Sequence, residues 1–244
     1  MAVRCPTTSD NMYRSSIFPN SYPITIAQWV YLPSAPGSYA CMWGMDIGGT
    51  DQSLYVGATS GGTNLEIYTS GSGGEMTGST LPIGKWFHLA ATSNNVTVKG
   101  YLNGILDINS ASTVNGSAVV GMGVMNAGGG YDIVGIVGYC KVWEDILTQS
   151  EIQREMLTTN PTVKLNKLWA YWPLVHPADI SDYSGRAHHL TRRGAPVVGP
   201  APGIPTDRFS RTAWRRWPMN VPAAGKAPPP FQRRWRYLNR SRFV

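Results

Sequence analysis

The feature that most constrains this chain is a rhythm. Up to about residue 142, short runs of β-branched and aromatic residues alternate with turn residues. Ile24 to Leu32 is such a run, stopped by Pro33-Ser34-Ala35-Pro36-Gly37. Tyr39 to Met45, Leu54 to Gly57, Asn64 to Tyr68, Lys85 to Thr92, Val96 to Leu102, Val119 to Val124 and Ile133 to Val142 follow. Asn94-Asn95 and Asn103-Gly104 supply residues that tolerate positive φ, as tight hairpins require. Strands at intervals of about 8–12 residues with turn signals between them fold as a β-sandwich or barrel. Composition agrees: only 14% of residues are charged and 27 are glycine, a mix suited to strands and turns rather than helices.

One helix interrupts the pattern. Thr148-Gln149-Ser150-Glu151 has the form of a capping box, and Leu147, Ile152 and Met156 give a narrow apolar side. Pro161 ends it, so we expect a short helix over 148–158 on the sandwich edge. Leu168 to Leu174 reads as a closing strand, and Ser181 to Gly185 as a turn. From Ala195 the composition turns to Pro, Ala and Gly, and then to Arg interleaved with aromatics. The expected division is therefore a sandwich over 1–194 and an extended arm over 195–244.

Charge follows the same division. Residues 1–185 hold eight Lys and Arg against thirteen Asp and Glu; residues 186–244 hold thirteen against one. A mildly acidic body and a strongly basic tail suit different surfaces. Three widely spaced cysteines, Cys5, Cys41 and Cys140, match no metal spacing and read as small buried hydrophobes in a reducing environment. The amino terminus has no apolar run, so no signal peptide is expected, and no stretch is long and apolar enough for a membrane helix.

Several motifs resemble the concanavalin A-like, laminin G-like superfamily. Lys85-Trp86-Phe87-His88-Leu89-Ala90-Ala91-Thr92, followed by Tyr101-Leu102-Asn103-Gly104, is similar to its paired "W-x-H-L-A-x-T … Y-x-N-G" strands. Ile24 to Val30 resembles the preceding "F-T-I-x-x-W-V" strand. Ile136 to Trp143 with Leu147 to Ile152 resembles the last strand and "L-S-x-x-E-I" helix. Leu168 to Leu174 with Asp182-Tyr183-Ser184-Gly185 and His189 resembles a segment that opens many members but closes this one, as in laminin G-like proteins of tailed bacteriophages. The resemblance implies an all-β antiparallel jelly-roll sandwich.

Candidate sites can be weighed on that scaffold. Hydrolases of this superfamily carry an E-x-D-x-x-E run that this chain lacks; Glu144-Asp145 falls at a strand end and Glu151 and Glu155 on the helix, so no enzyme activity is expected. His88 is expected to be structural, and His188-His189 has no further metal ligands near it in sequence. Laminin G-like domains sometimes hold calcium, and Asp46 and Asp51, flanking Gly48-Gly49, are the weak candidates; no other cofactor is expected. Glycan binding needs an aromatic platform with amides and carboxylates, for which Asn126, Tyr131 and Asp132 in a Gly-rich stretch are candidates.

The arm carries the partner-binding candidates: Arg208, Arg211, Trp214, Arg215, Arg216, Trp217, Phe231, Arg233, Arg234, Trp235, Arg236, Tyr237, Arg240 and Arg242. Arg with Trp and Tyr serves nucleic-acid binding and protein hot spots alike. Proline spacing favours an extended strap and Trp and Phe need apolar pockets, so a protein partner is favoured over nucleic acid, and a membrane is not expected. The reading that follows is a non-enzymatic virion structural protein assembled in the host cytoplasm. It would decorate or cement a capsid, its arm holding the viral coat protein or neighbouring copies of itself. The alternative is a lectin-like adhesion module.

Overall fold

Ile24, Ile26 and Val30 point to one side of a strand, and Trp29 and Tyr31 to the other. Such alternation builds a sheet whose two faces differ in their neighbours, and the computed structural model has two sheets among the described residues. It describes residues 1–204 apart from 15–21, 38, 47–51, 60, 71, 114–120 and 125–132; residues 205–244 also lie outside the described set. Among the described residues all strand pairs are antiparallel.

Sheet A runs β10 (Ile105–Ala111), β9 (Thr97–Leu102), β8 (Trp86–Ser93), β3 (Ile24–Tyr31), β12 (Gly135–Trp143), β1 (Ala2–Cys5), β15 (Val197–Gly199), with β13 (Leu168–Trp172) also on β12. Sheet B runs β14 (Thr191–Arg193), β2 (Asn11–Arg14), β11 (Gly121–Val124), β4 (Ala40–Asp46), β5 (Gln52–Ala58), β6 (Asn64–Thr69), β7 (Gly74–Thr80). The main core lies between the sheets and includes Met42, Trp43, Val56, Ile67, Phe87, Leu89, Trp169 and Trp172. The expected jelly-roll sandwich is the fold observed.

The Asn94-Asn95 and Asn103-Gly104 turns form as their residues dictate. Asn95, Asn103 and Gly104 have φ of 63°, 51° and 73°, and the Asn94 side chain accepts from the Val96 and Thr97 amides.

Helix α1 (Gln149–Met156) has the expected capping box: the Glu151 amide donates to Thr148 Oγ1, and the Thr148 amide to Glu151 Oε2. It covers part of the outer face of sheet A, where Leu147 and Ile152 pack with Ala27, Ala90, Tyr101, Trp143 and Tyr171. A buried ion pair fastens it there. Lys141 Nζ lies 2.7 Å from Glu155 Oε2, and both side chains are almost wholly shielded from solvent. The other carboxyl oxygen accepts from the Thr162 amide and hydroxyl and the Val163 amide.

The closing strand explains the inverted motif order. β1 and β13 share one edge of β12: Val3 pairs with Val137, and Trp172 with Cys140. A strand arriving late in the chain thus fills an edge that the first strand leaves half empty. The Asp182 carboxyl then ties the following loop down, accepting from the Tyr171, Ser184 and His188 amides and the Ser184 hydroxyl. The His188 ring stacks on Trp169 at 3.9 Å.

The expected boundary at 194 falls between two short strands that belong to different sheets. β14 joins sheet B and β15 joins sheet A across one edge of the sandwich, with Asp10 accepting from the Ala195 amide between them. The first compact unit runs to Asp207, because Val197-Val198 still find a strand partner within a Pro- and Gly-rich stretch. The second unit, Arg208–Val244, lies outside the described residues.

Candidate functional site

The sequence candidates fall largely beyond what the structure describes. Asn126, Tyr131 and Asp132 belong to the β11–β12 connection, outside the described residues, as does Asp51. Asp46 closes β4, and its side chain is likewise outside them. The same holds for every arm candidate from Arg208 to Arg242. Among the described residues no group of three or more metal-ligating side chains occurs, and no helix is long and apolar enough to cross a membrane.

The described residues do bring aromatic and carboxylate groups together, on the outer face of sheet B. Leu54, Val56, Leu65, Ile67 and Met76 point into the core, so the alternate residues Tyr55, Glu66, Tyr68 and Glu75 point away from it. Register aligns them. Tyr55 pairs with Tyr68 and Tyr68 with Glu75, while Gly57 pairs with Glu66 and Glu66 with Thr77. Glu66 and Glu75 are therefore diagonal neighbours on adjacent strands, within reach of each other's side chains.

Tyr39, just before β4, donates its hydroxyl to Glu75 Oε1 at 2.9 Å. The strand order puts β5 and β6 between the two residues. At about 4.8 Å per strand interval, the long phenol and carboxylate side chains must both reach out to meet. Tyr55 occupies the same region: its hydroxyl accepts from the Ala40 amide and donates to the Ala58 carbonyl, both at 2.8 Å. A Cβ at Gly57 would lie 2.7 Å from that hydroxyl and 2.0 Å from the Ala40 carbonyl oxygen, so only glycine fits. Tyr55 and Cys41 are buried, with Tyr68 packed half-buried against them.

Glu66 is the unusual member. It is 2% exposed, and its Oε2 has no hydrogen-bond partner among the described residues. Burial, with a contribution from the Glu75 charge, pushes its carboxyl up to about 7. Glu75 is exposed. The face thus combines tyrosine rings with one solvated carboxylate and one shielded carboxyl.

The remaining sequence candidates are structural. His88 is buried on the outer face of sheet A, edge-on to Trp29 at 5.5 Å. Burial, then the Lys141 charge, lowers its pKa to about 3, which keeps it neutral. The acids weighed as catalytic candidates are all engaged by cations: Glu144 with Arg186, Asp145 and Glu151 with Lys164, and Glu155 with Lys141. His189 accepts from the Asp182 amide, and His188 belongs to the Trp169 stack. Sequence reasoning missed Glu66, Glu75 and Tyr39. The alternation of Glu66 and Tyr68 was visible, but Gly74–Thr80 has one apolar residue and gave no strand signal, so the partner carboxylate had no place.

Residues 7–153, more than half of the chain, match the family model described as Laminin_G_3, concanavalin A-like lectin/glucanases superfamily. Among solved structures, a candidate carbohydrate-binding protein from Bacteroides ovatus is similar over 84% of this chain, with a TM-score of 0.59 and 15% identity. This chain spans 62% of that protein. The sialidase of Trypanosoma rangeli is similar over 56% of this chain and 23% of its own, at a TM-score of 0.49 and 17% identity. A pentraxin from Limulus polyphemus is similar over 62% of this chain and 79% of its own, also at 0.49, with 15% identity. At these identities the likeness is one of fold. No curated protein matches the chain by sequence.

Proposed function

The chain belongs to the concanavalin A-like lectin/glucanases superfamily, and on that premise we propose that it is a non-enzymatic carbohydrate-binding module. The observation that carries this reading is the outer face of β4–β7, where half-buried Tyr39 and Tyr68 and exposed Glu75 gather around the buried Tyr55 and Glu66. Tyrosine faces stack on the apolar side of a pyranose ring, and carboxylates accept from its hydroxyls. The fold likeness to the candidate carbohydrate-binding protein of B. ovatus supports it.

The test is a glycan array probed with the full chain, followed by titration of the best ligand. The expected result is saturable binding that Tyr68→Ala weakens about tenfold or more without changing the unfolding midpoint. Uniform failure to bind any glycan, or release of reducing ends from a bound glycan, would overturn the reading.

A second reading concerns the arm. Thirteen cationic residues against one acid in 186–244, interleaved with Trp, Phe and Pro, favour attachment to an acidic protein surface. We propose that residues 208–244 tether the module to a larger assembly, a tailed-phage virion being the setting the motif order favours. Its test is incorporation: a chain lacking 208–244 should no longer join particles, and normal incorporation would refute the tether.

A further inference from the structure

We propose that the outer face of β4–β7 selects a cationic amino sugar, seating its ammonium group between Glu66 and Glu75 against the tyrosine rings. The inference rests on the carbohydrate-binding reading and names the class of sugar that this face favours.

Charge comes first. Residues 15–84 contain no Lys, Arg or His, so β4, β5, β6 and β7 bring only acids to their half of sheet B. The basic residues of that sheet, Arg14, Arg192 and Arg193, lie on β2 and β14 at its other side. An anionic sugar would meet carboxylates with no counter-charge. A neutral sugar would leave both carboxylates uncompensated.

Geometry comes second. Glu66 and Glu75 are diagonal neighbours across the β6–β7 ladder. Glu66 Oε2 is buried with no hydrogen-bond partner among the described residues, an arrangement that is costly unless a donor arrives. An ammonium group brings three donors and no acceptor. Glu66 Oε2, Glu75 and the Tyr39 hydroxyl oxygen together supply three acceptors. Tyr39 already donates to Glu75 Oε1, so an arriving ammonium takes the place of that phenol hydrogen bond. Tyr68, paired with Glu75 across the ladder, is the ring placed to add cation–π attraction, which strengthens as water is excluded.

The state of Glu66 is consistent with this. Burial and the neighbouring Glu75 hold its carboxyl near 7; a bound cation counters the Glu75 repulsion and, by direct attraction, favours the ionised form. Binding of an ammonium at pH 6 should therefore release a proton from this site.

The experiment compares two probes on the full chain: a β-1,4-linked glucosamine tetramer and its fully N-acetylated counterpart, titrated calorimetrically at pH 7 and low salt. The free-amine tetramer should bind at least about tenfold more tightly, with the advantage lost in Glu75→Gln and in Glu66→Gln and reduced by added salt. Equal affinity for the two tetramers would overturn the inference and leave the carbohydrate reading standing. An advantage that survives in both Gln variants would overturn it too, because the ammonium would then sit elsewhere. Acetyl-arginine-amide that competes at equal concentration would mark a general cation site and refute sugar selection. Absence of binding by either tetramer, together with an empty array, would remove both the inference and the reading beneath it.

Discussion

Removing the Glu155 carboxylate should be among the most destabilising single changes in the sandwich. The charge pair it forms with Lys141 lies between helix α1 and sheet A, with side-chain exposures of 0% and 2%. Breaking such a pair from one side costs about 3–5 kcal/mol, because the remaining charge is left in a poorly solvating site. Glu155→Ala should fall at the upper end, about 5 kcal/mol. It strands Lys141 Nζ with only the Glu155 and Thr158 carbonyls, and it also orphans the Thr162 amide, Thr162 hydroxyl and Val163 amide. Glu155→Gln keeps an acceptor for those three donors and loses only the charge, so it should cost about 3 kcal/mol. Lys141→Met, which leaves a carboxylate still holding three donors, should cost a similar amount. The double variant Lys141→Met/Glu155→Gln should cost less than the sum of its parts, since no lone charge remains. Urea unfolding followed by tryptophan fluorescence reads all four. With a slope of about 2 kcal/mol/M, Glu155→Ala should lower the midpoint by about 2.5 M. A loss under about 1 kcal/mol, or equal losses for Ala and Gln, would refute the claim that burial and the three-donor network set the cost.

Other outcomes follow from the same structure. His88 is held neutral down to about pH 3 and titrates near 6.5 when unfolded. The unfolded chain therefore takes up a proton first, and stability should fall by about 2–3 kcal/mol from pH 6.5 to 4.5; His88→Phe should flatten that limb of a urea-midpoint profile. Glu66 has the opposite sign: its folded value near 7 lies above its unfolded value near 4.5. Its contribution is full below 4.5 and lost as pH rises through 7, so Glu66→Gln should exceed the parent in midpoint at pH 8 and match it at pH 4. Asp182→Ala should cost about 3 kcal/mol, because four donors lose their acceptor; loss of the near-ultraviolet signal from the Trp169–His188 stack should accompany it. Deleting 208–244 should leave the unfolding free energy within about 0.5 kcal/mol of the parent; a large drop would mean that the sandwich depends on that segment.

Legibility followed the strength of the local signal. Long alternating runs such as Ile24–Tyr31 and Trp86–Ser93 sit where their pattern placed them, and the capping box at Thr148 formed as its residue types require. Weakly patterned strands were hidden. Gly74–Thr80 and Ile105–Ala111 are edge strands, where one face and one ladder side are exposed and few apolar residues are demanded. Val197–Gly199 was concealed by the prolines and glycines around it. The candidate site suffered from the same cause. Glu66 looks like an ordinary strand glutamate until β7 brings Glu75 beside it and Tyr39 reaches across from β4, contacts that depend on sheet order rather than on spacing. The Lys141–Glu155 pair is similar: fourteen residues separate its partners, but only the helix docking on sheet A makes them meet.

Hydrogen exchange read by mass spectrometry shows whether the outer face of β4–β7 receives a sugar. With the full chain saturated by the tightest glycan of the array, added protection should concentrate in peptides from 39–80. Protection confined to sheet A, or unchanged exchange across 39–80 at saturation, would contradict the account.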